Sequence, residues 1–204
     1  MSQPIIEGYP LSPQQKHLWS LYEDGGRASY AAQCAILVEG PLDDRTLLAA
    51  LGDVVERHEI LRTSFNLLPE MTMPLQVVNP SRELRVEECD LSGLSEQAQE
   101  TRVEALLREA ALRGSDLEKG DALSLMQVRL GVEKHALLVS FPSLYADTTA
   151  LKIFMQDLGD CYAARLRGED LPEEPIQYAD LSEWQNESLA AEGSEVGHDY
   201  WRRQ

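Results

Sequence analysis

The residues from Ala136 to Leu151 constrain this chain more than any other stretch. Ala136-Leu137-Leu138-Val139-Ser140-Phe141 is a nearly unbroken apolar run, the pattern of a strand buried on both faces. It breaks at Pro142, which has no N–H for a ladder and belongs at a strand end. After Asp147 the period changes. Leu151, Phe154, Met155, Leu158, Cys161, Tyr162 and Leu166 recur at helical spacing, as the stripe of a core-facing helix does. The stretch predicts a buried strand, a short bend and an amphipathic helix. Bends at a strand's carboxyl end are where α/β proteins keep much of their chemistry, so function is expected between Pro142 and Thr148.

The rest of the chain supplies partners for that unit. Ser12-Pro13-Gln14-Gln15 reads as a helix start, with Ser12 as N-cap, Pro13 in the first turn and Gln15 reaching back as in a capping box. That helix carries Leu18, Trp19 and Tyr22 and should stop at Gly25-Gly26. Tyr30 to Val38 reads as a strand. Asp43 or Asp44 can cap a second helix, with Leu47, Leu51, Val54 or Val55, and His58 on one apolar face, which makes His58 a satisfied core histidine. Strands are expected at Leu61 to Leu67, Pro74 to Val78 and Arg85 to Cys89. Ser95 to Arg113 reads as a third helix closed by Gly114. Leu123 to Leu130 and His135 to Phe141, joined across Gly131-Val132-Glu133-Lys134, predict an antiparallel hairpin. The helix after Asp147 ends at Gly168. A polar connector, residues 169–175, leads to a last helical stretch over residues 176–204, broken near Gly193 and Gly197. This order predicts a single domain over residues 1–204 with a mixed-sheet α/β (α+β) fold, a two-layer sandwich.

Composition excludes several function classes. A net charge of −17 on 204 residues repels the phosphates of nucleic acid and of anionic membranes. No apolar run reaches the length of a membrane span, and Met1-Ser2-Gln3-Pro4 opens no secretion signal. Cys34, Cys89 and Cys161 are odd in number and widely spaced, so they read as reduced, mostly buried thiols of a cytoplasmic protein. No His/Cys/Asp set has metal-ligand spacing, and no phosphate-cradling loop is present.

Three segments then align with one family. Leu11-Ser12-Pro13-Gln14-Gln15-Lys16-His17-Leu18-Trp19 resembles the opening motif of nonribosomal peptide synthetase condensation domains, members of the chloramphenicol acetyltransferase-like superfamily. The nine residues from Arg57 to Phe65, Arg-His-Glu-Ile-Leu-Arg-Thr-Ser-Phe, resemble the second motif almost letter for letter. Gln177-Tyr178-Ala179-Asp180-Leu181-Ser182-Glu183-Trp184-Gln185 is similar to the fourth, and Asp116-Leu117-Glu118-Lys119-Gly120 to a family stretch before the hairpin. The resemblance covers essentially the whole chain and implies the amino-terminal one of the family's two lobes. Tyr200-Trp201-Arg202-Arg203-Gln204 resembles the exit toward the second, so the chain reads as a fragment of a longer synthetase.

The catalytic motif departs from the pattern. Against the family's HHxxxDG stands Pro142-Ser143-Leu144-Tyr145-Ala146-Asp147-Thr148. Pro142 and Ser143 replace the two histidines, Asp147 is retained and Thr148 replaces the glycine. In the family, an amine on one carrier protein attacks a thioester on another, and the second histidine positions or deprotonates the amine, a task suited to imidazole. A serine hydroxyl cannot take that proton without a base, and the Tyr145 phenol is protonated at neutral pH. Ser143 lacks the glycines of a nucleophile elbow, and none of His17, His58, His135 and His198 is tied to it by a motif. Asp147 can cap the following helix. The resemblance also implies a buried ion pair between Asp147 and Arg62, and one carboxylate can do both.

Two functions are implied. One is a degenerate, non-catalytic condensation-like module that docks carrier proteins, neighbouring synthetase domains or a tailoring enzyme. The other is part of an active amide- or ester-forming domain that works by positioning its substrates. In either case no cofactor is bound directly, and phosphopantetheine sits on the partner carriers. An acidic carrier would need a basic patch, for which Arg102, Arg108, Arg113, Arg165 and Arg167 are the candidates. A homodimer through the exposed lobe face is expected, since open apolar surface drives association.

Overall fold

The computed structural model describes residues 8–23, 30–80, 84–113, 115–171 and 173–191. The elements in order are β1 (Tyr9–Pro10), α1 (Pro13–Glu23), β2 (Ala31–Glu39), α2 (Asp44–Arg57), β3 (Thr63–Asn66), β4 (Leu75–Val78), β5 (Val86–Asp90), α3 (Glu96–Arg113), β6 (Ser124–Arg129), β7 (Lys134–Pro142), α4 (Thr148–Arg167) and α5 (Tyr178–Ala190). The expected stops at Gly25-Gly26, Gly114, Gly193 and Gly197, and the exit segment Tyr200 to Gln204, lie outside the described residues.

The apolar run is the centre of the larger sheet. Its strand order is β2-β7-β6-β5, with β7 antiparallel to both neighbours and β5 parallel to β6. Ala136 to Phe141 are buried at every position. Side chains alternate across a strand, so Leu137, Val139 and Phe141 enter a core shared with α2 and α4, while Ala136 and Leu138 meet Leu91 and Leu106 on the α3 side. The expected mixed α/β fold is the one found. Because β7 is apolar on both faces, helices cover it on both. A smaller antiparallel sheet, β1-β4-β3, stands beside it.

Local chemistry explains several helix ends. Ser12 N–H donates to Gln15 Oε1 (3.0 Å) and Gln15 N–H to Ser12 Oγ (3.2 Å), a complete capping box. Asp43 caps α2 through the Thr46 N–H (2.7 Å). Gly168 closes α4 in the left-handed region at φ 66°. Gly120, at φ +70°, lies so close to the small sheet that a Cβ there would stand 3.0 Å from the Thr63 carbonyl oxygen.

Several expectations need correction. The strand expected from Leu61 begins only at Thr63, because Glu59–Arg62 forms a 3₁₀ turn in which Leu61 N–H donates to His58 O. It ends at Asn66, the last residue paired with β4. His58 is not on the apolar face of α2. It sits just past the helix end, where its ring Nε2 meets the Asp157 carboxylate. On α4 the buried face is Leu151, Phe154, Leu158, Cys161 and Ala164. Met155 and Leu166 lie on its flank at 100° per residue and stay open, Leu166 being 60% exposed. Of the three free thiols only Cys161 is fully buried; Cys34 and Cys89 are half-buried. Burial raises the pKa of the Cys34 and Cys161 thiols. No helix among the described residues is long and apolar enough to cross a membrane.

Candidate functional site

Pro142, Ser143, Asp147 and Thr148 come together in the bend between β7 and α4. Its backbone is tied to the residue before β2, to α1 and to itself. Ser143 N–H donates to Tyr30 O (2.8 Å), which carries the β2–β7 pairing one step past the strand end. Tyr145 and Ala146 N–H both turn back to Pro142 O, at 2.9 and 3.4 Å. The Leu144 carbonyl accepts from the side-chain Nε2 of Gln15 (3.2 Å). Asp147 Oδ1 accepts the Ala150 N–H (2.8 Å), and α4 begins. Leu144, Tyr145 and Ala146 are buried, with the Tyr145 ring edge-on to Phe65 at 5.0 Å between centroids. Ser143 is half-buried, and Asp147 and Thr148 are exposed.

Asp147 caps α4, as its position after the strand suggests. It does not pair with Arg62. Arg62 donates through Nη1 to Asn79 O (2.8 Å) and through Nη2 to Glu59 (3.2 Å). Asn79 closes this knot by donating Nδ2 to Arg62 O and Ser64 Oγ. The 3₁₀ turn brings Glu59 within reach of Arg62, and this local partner holds the guanidinium.

No described histidine serves the bend. His17 is exposed on α1, His58 is engaged by Asp157, and His135 is the second residue of β7, eight residues and roughly 25 Å of strand from Ser143. His198 lies outside the described residues. The five arginines considered for a basic patch are each neutralised: Arg102 by Glu109, Arg108 by Glu104, Arg113 by Glu87, Arg165 by Asp53 and Arg167 by Glu169. They form no free cationic surface. Among the described residues no cluster of three or more His, Cys, Asp or Glu could hold a metal. An open cleft of about 480 Å³ between α2 and the starts of β5 and β6 is lined by Leu51, Leu84, Arg85 and Leu125, among others, and by no residue of the bend.

The segments that carried the resemblance are tied to one another by hydrogen bonds. Ser12 Oγ and Tyr178 OH are 2.8 Å apart. Gln177 accepts the Glu59 N–H and donates to Arg57 O, both at 3.0 Å, and Arg57 reaches Glu173 O in the connector. Phe65 N–H donates to Leu117 O (2.9 Å). Ser182 Oγ donates to Pro10 O (2.6 Å). These hydrogen bonds brace the surroundings of the bend. Sequence reasoning missed Gln76, which is 1% exposed and bonded to Gln15 and Pro10. A signal was present: an amide in the short run Leu75-Gln76-Val77 must find partners if that side of the strand is buried.

A condensation-domain family profile matches residues 5–204. Chondramide synthase cmdD of Chondromyces crocatus is 32% identical over 203 residues, which cover 98% of this chain and 5% of that protein. Surfactin synthase subunit 1 of Bacillus subtilis is 32% identical over 198 residues, 96% of this chain and 5% of that protein. The crystal structure of SgcC5 from Streptomyces globisporus superimposes with a TM-score of 0.83 at 30% identity, over 95% of this chain and 45% of that one. The first condensation domain of the calcium-dependent antibiotic synthetase gives 0.84 at 21% identity, over 96% and 46%. The chain thus spans a small part of these synthetases and a little under half of the solved chains.

Proposed function

The chain belongs to the condensation-domain family, and from that membership we propose that it serves a nonribosomal peptide synthetase as a condensation-like lobe without imidazole chemistry, docking or scaffolding its neighbours. The bend carries this reading. Its backbone is held at Ser143, Leu144, Tyr145 and Ala146, yet Pro142 and Ser143 stand where the resemblance puts two histidines. A positioned general base is worth about 10²–10⁴ in rate, and a serine hydroxyl cannot supply it near neutral pH without a base of its own. The proposed partners are carrier proteins bearing phosphopantetheine, adjacent synthetase domains and a tailoring enzyme, with no cofactor held by the lobe itself. Because the α3 and α4 arginines are already paired, charge does not steer an acidic carrier to those helices.

The test is direct. Donor and acceptor carriers are loaded as thioesters, the protein is supplied within its whole synthetase, and amide or ester product is followed by mass spectrometry. A Ser143→His variant runs in parallel. No product above background is expected from the unaltered sequence, with any gain confined to the variant. Product from the unaltered sequence would replace this reading with transfer by proximity alone.

A further inference from the structure

We infer that Gln15 is the positioning residue of the bend: its side-chain amide, held in one orientation by Gln76, sets where the Leu144 carbonyl stands. Gln15 and Gln76 are 2% and 1% exposed. Gln15 Oε1 accepts the Ser12 N–H (3.0 Å), while its Nε2 donates to Gln76 Oε1 (3.0 Å) and to Leu144 O (3.2 Å). Gln76 Nε2 in turn donates to Pro10 O (3.0 Å). Both donors of the Gln15 amide and its acceptor are therefore in use. Turning the amide over would set its oxygen against two other oxygens and leave the Ser12 N–H without an acceptor, so the relay admits one orientation.

The Leu144 carbonyl needs such a partner because β7 has ended two residues earlier. A buried carbonyl beyond the ladder must be satisfied by something else. On one side of Ser143, its own N–H is held by Tyr30 O. On the other, the Leu144 carbonyl is held by Gln15. The backbone that carries the side chain at 143 is thus held from two places distant in sequence, the residue before β2 and helix α1, and α1 is referenced to the small sheet through Gln76. This placement holds whether the bend docks a partner or takes part in transfer.

The dipeptide Leu-Tyr occurs twice in the sequence, at 21–22 and 144–145. Labelling leucine carbonyl carbon with ¹³C and tyrosine nitrogen with ¹⁵N gives two correlations by NMR, one reporting the bend and one, on α1, serving as control. In Gln15→Met the 144–145 correlation should move, and the Tyr145 amide should exchange roughly tenfold faster, the effect of losing one hydrogen bond. The 21–22 correlation should stay in place. In Gln15→Glu the bend signal should be displaced at neutral pH and return on acidification, as the carboxyl regains a donor for Leu144 O. A side chain that only fills space would show no such pH profile. Should Gln15→Met fail to fold, Gln76→Met leaves Gln15 in place but frees its orientation, and the 144–145 correlation should broaden or split. An unchanged 144–145 signal in the folded variants, or equal acceleration of all protected amides, overturns the inference.

Discussion

Asp147 accepts the Ala150 N–H and is otherwise exposed to solvent. Its removal takes away one helix cap and strands no buried charge. Asp147→Ala is therefore expected to lower stability by about 1 kcal/mol, against the several that a buried pair would cost. Asp147→Asn should keep most of the cap, and thermal melts of the two variants check both. Gly120 is the more sensitive position. At φ +70° with Thr63 O 3.0 Å from a would-be Cβ, Gly120→Ala should cost about 1–2 kcal/mol or more, read from a chemical denaturation midpoint. The cap of α4 was legible because a carboxylate before a helical period has a local use. The true partner of Arg62 was not, since it depends on a 3₁₀ turn where the residue pattern reads as strand.

Helix α2 shows how an element's end responds to acid. Hydrogen bonds from Thr46, side chain and backbone, hold the Asp43 carboxyl below its ordinary pKa. Ser92 does the same for Asp90, Lys119 for Asp116 and Arg167 for Glu169. With the folded pKa below the unfolded one, the folded state binds fewer protons. Each such carboxylate contributes stability above its unfolded pKa and loses it as pH falls through the folded one. Melts from pH 7 downward should show stability falling below about pH 4, and Asp43→Asn should flatten part of that slope. Most elements were legible from period and capping, because α1, α2, α4 and the β6–β7 hairpin each satisfy their own ends. The exceptions were β1, which is two residues held by Gln76 and Leu75 of β4, and the start of β3. Both are set by partners far along the chain.

At the scale of the molecule, apolar side chains remain open around α5. Ile176 is 88% exposed and Trp184 62%, with Leu181 and Leu189 also open. Surface of this kind drives association, so concentration-dependent dimers are expected in light scattering, reduced by Trp184→Glu. A monomer at every concentration would remove that expectation. The lobe's overall plan was legible from one apolar run, whereas the side-chain ties among its motifs were not, because an amide's partner in space leaves no mark on its neighbours in sequence. Most of those ties end on main-chain atoms, and none of them uses the side chain at position 143. A fold so arranged can exchange the residue displayed at that position without renegotiating its own shape.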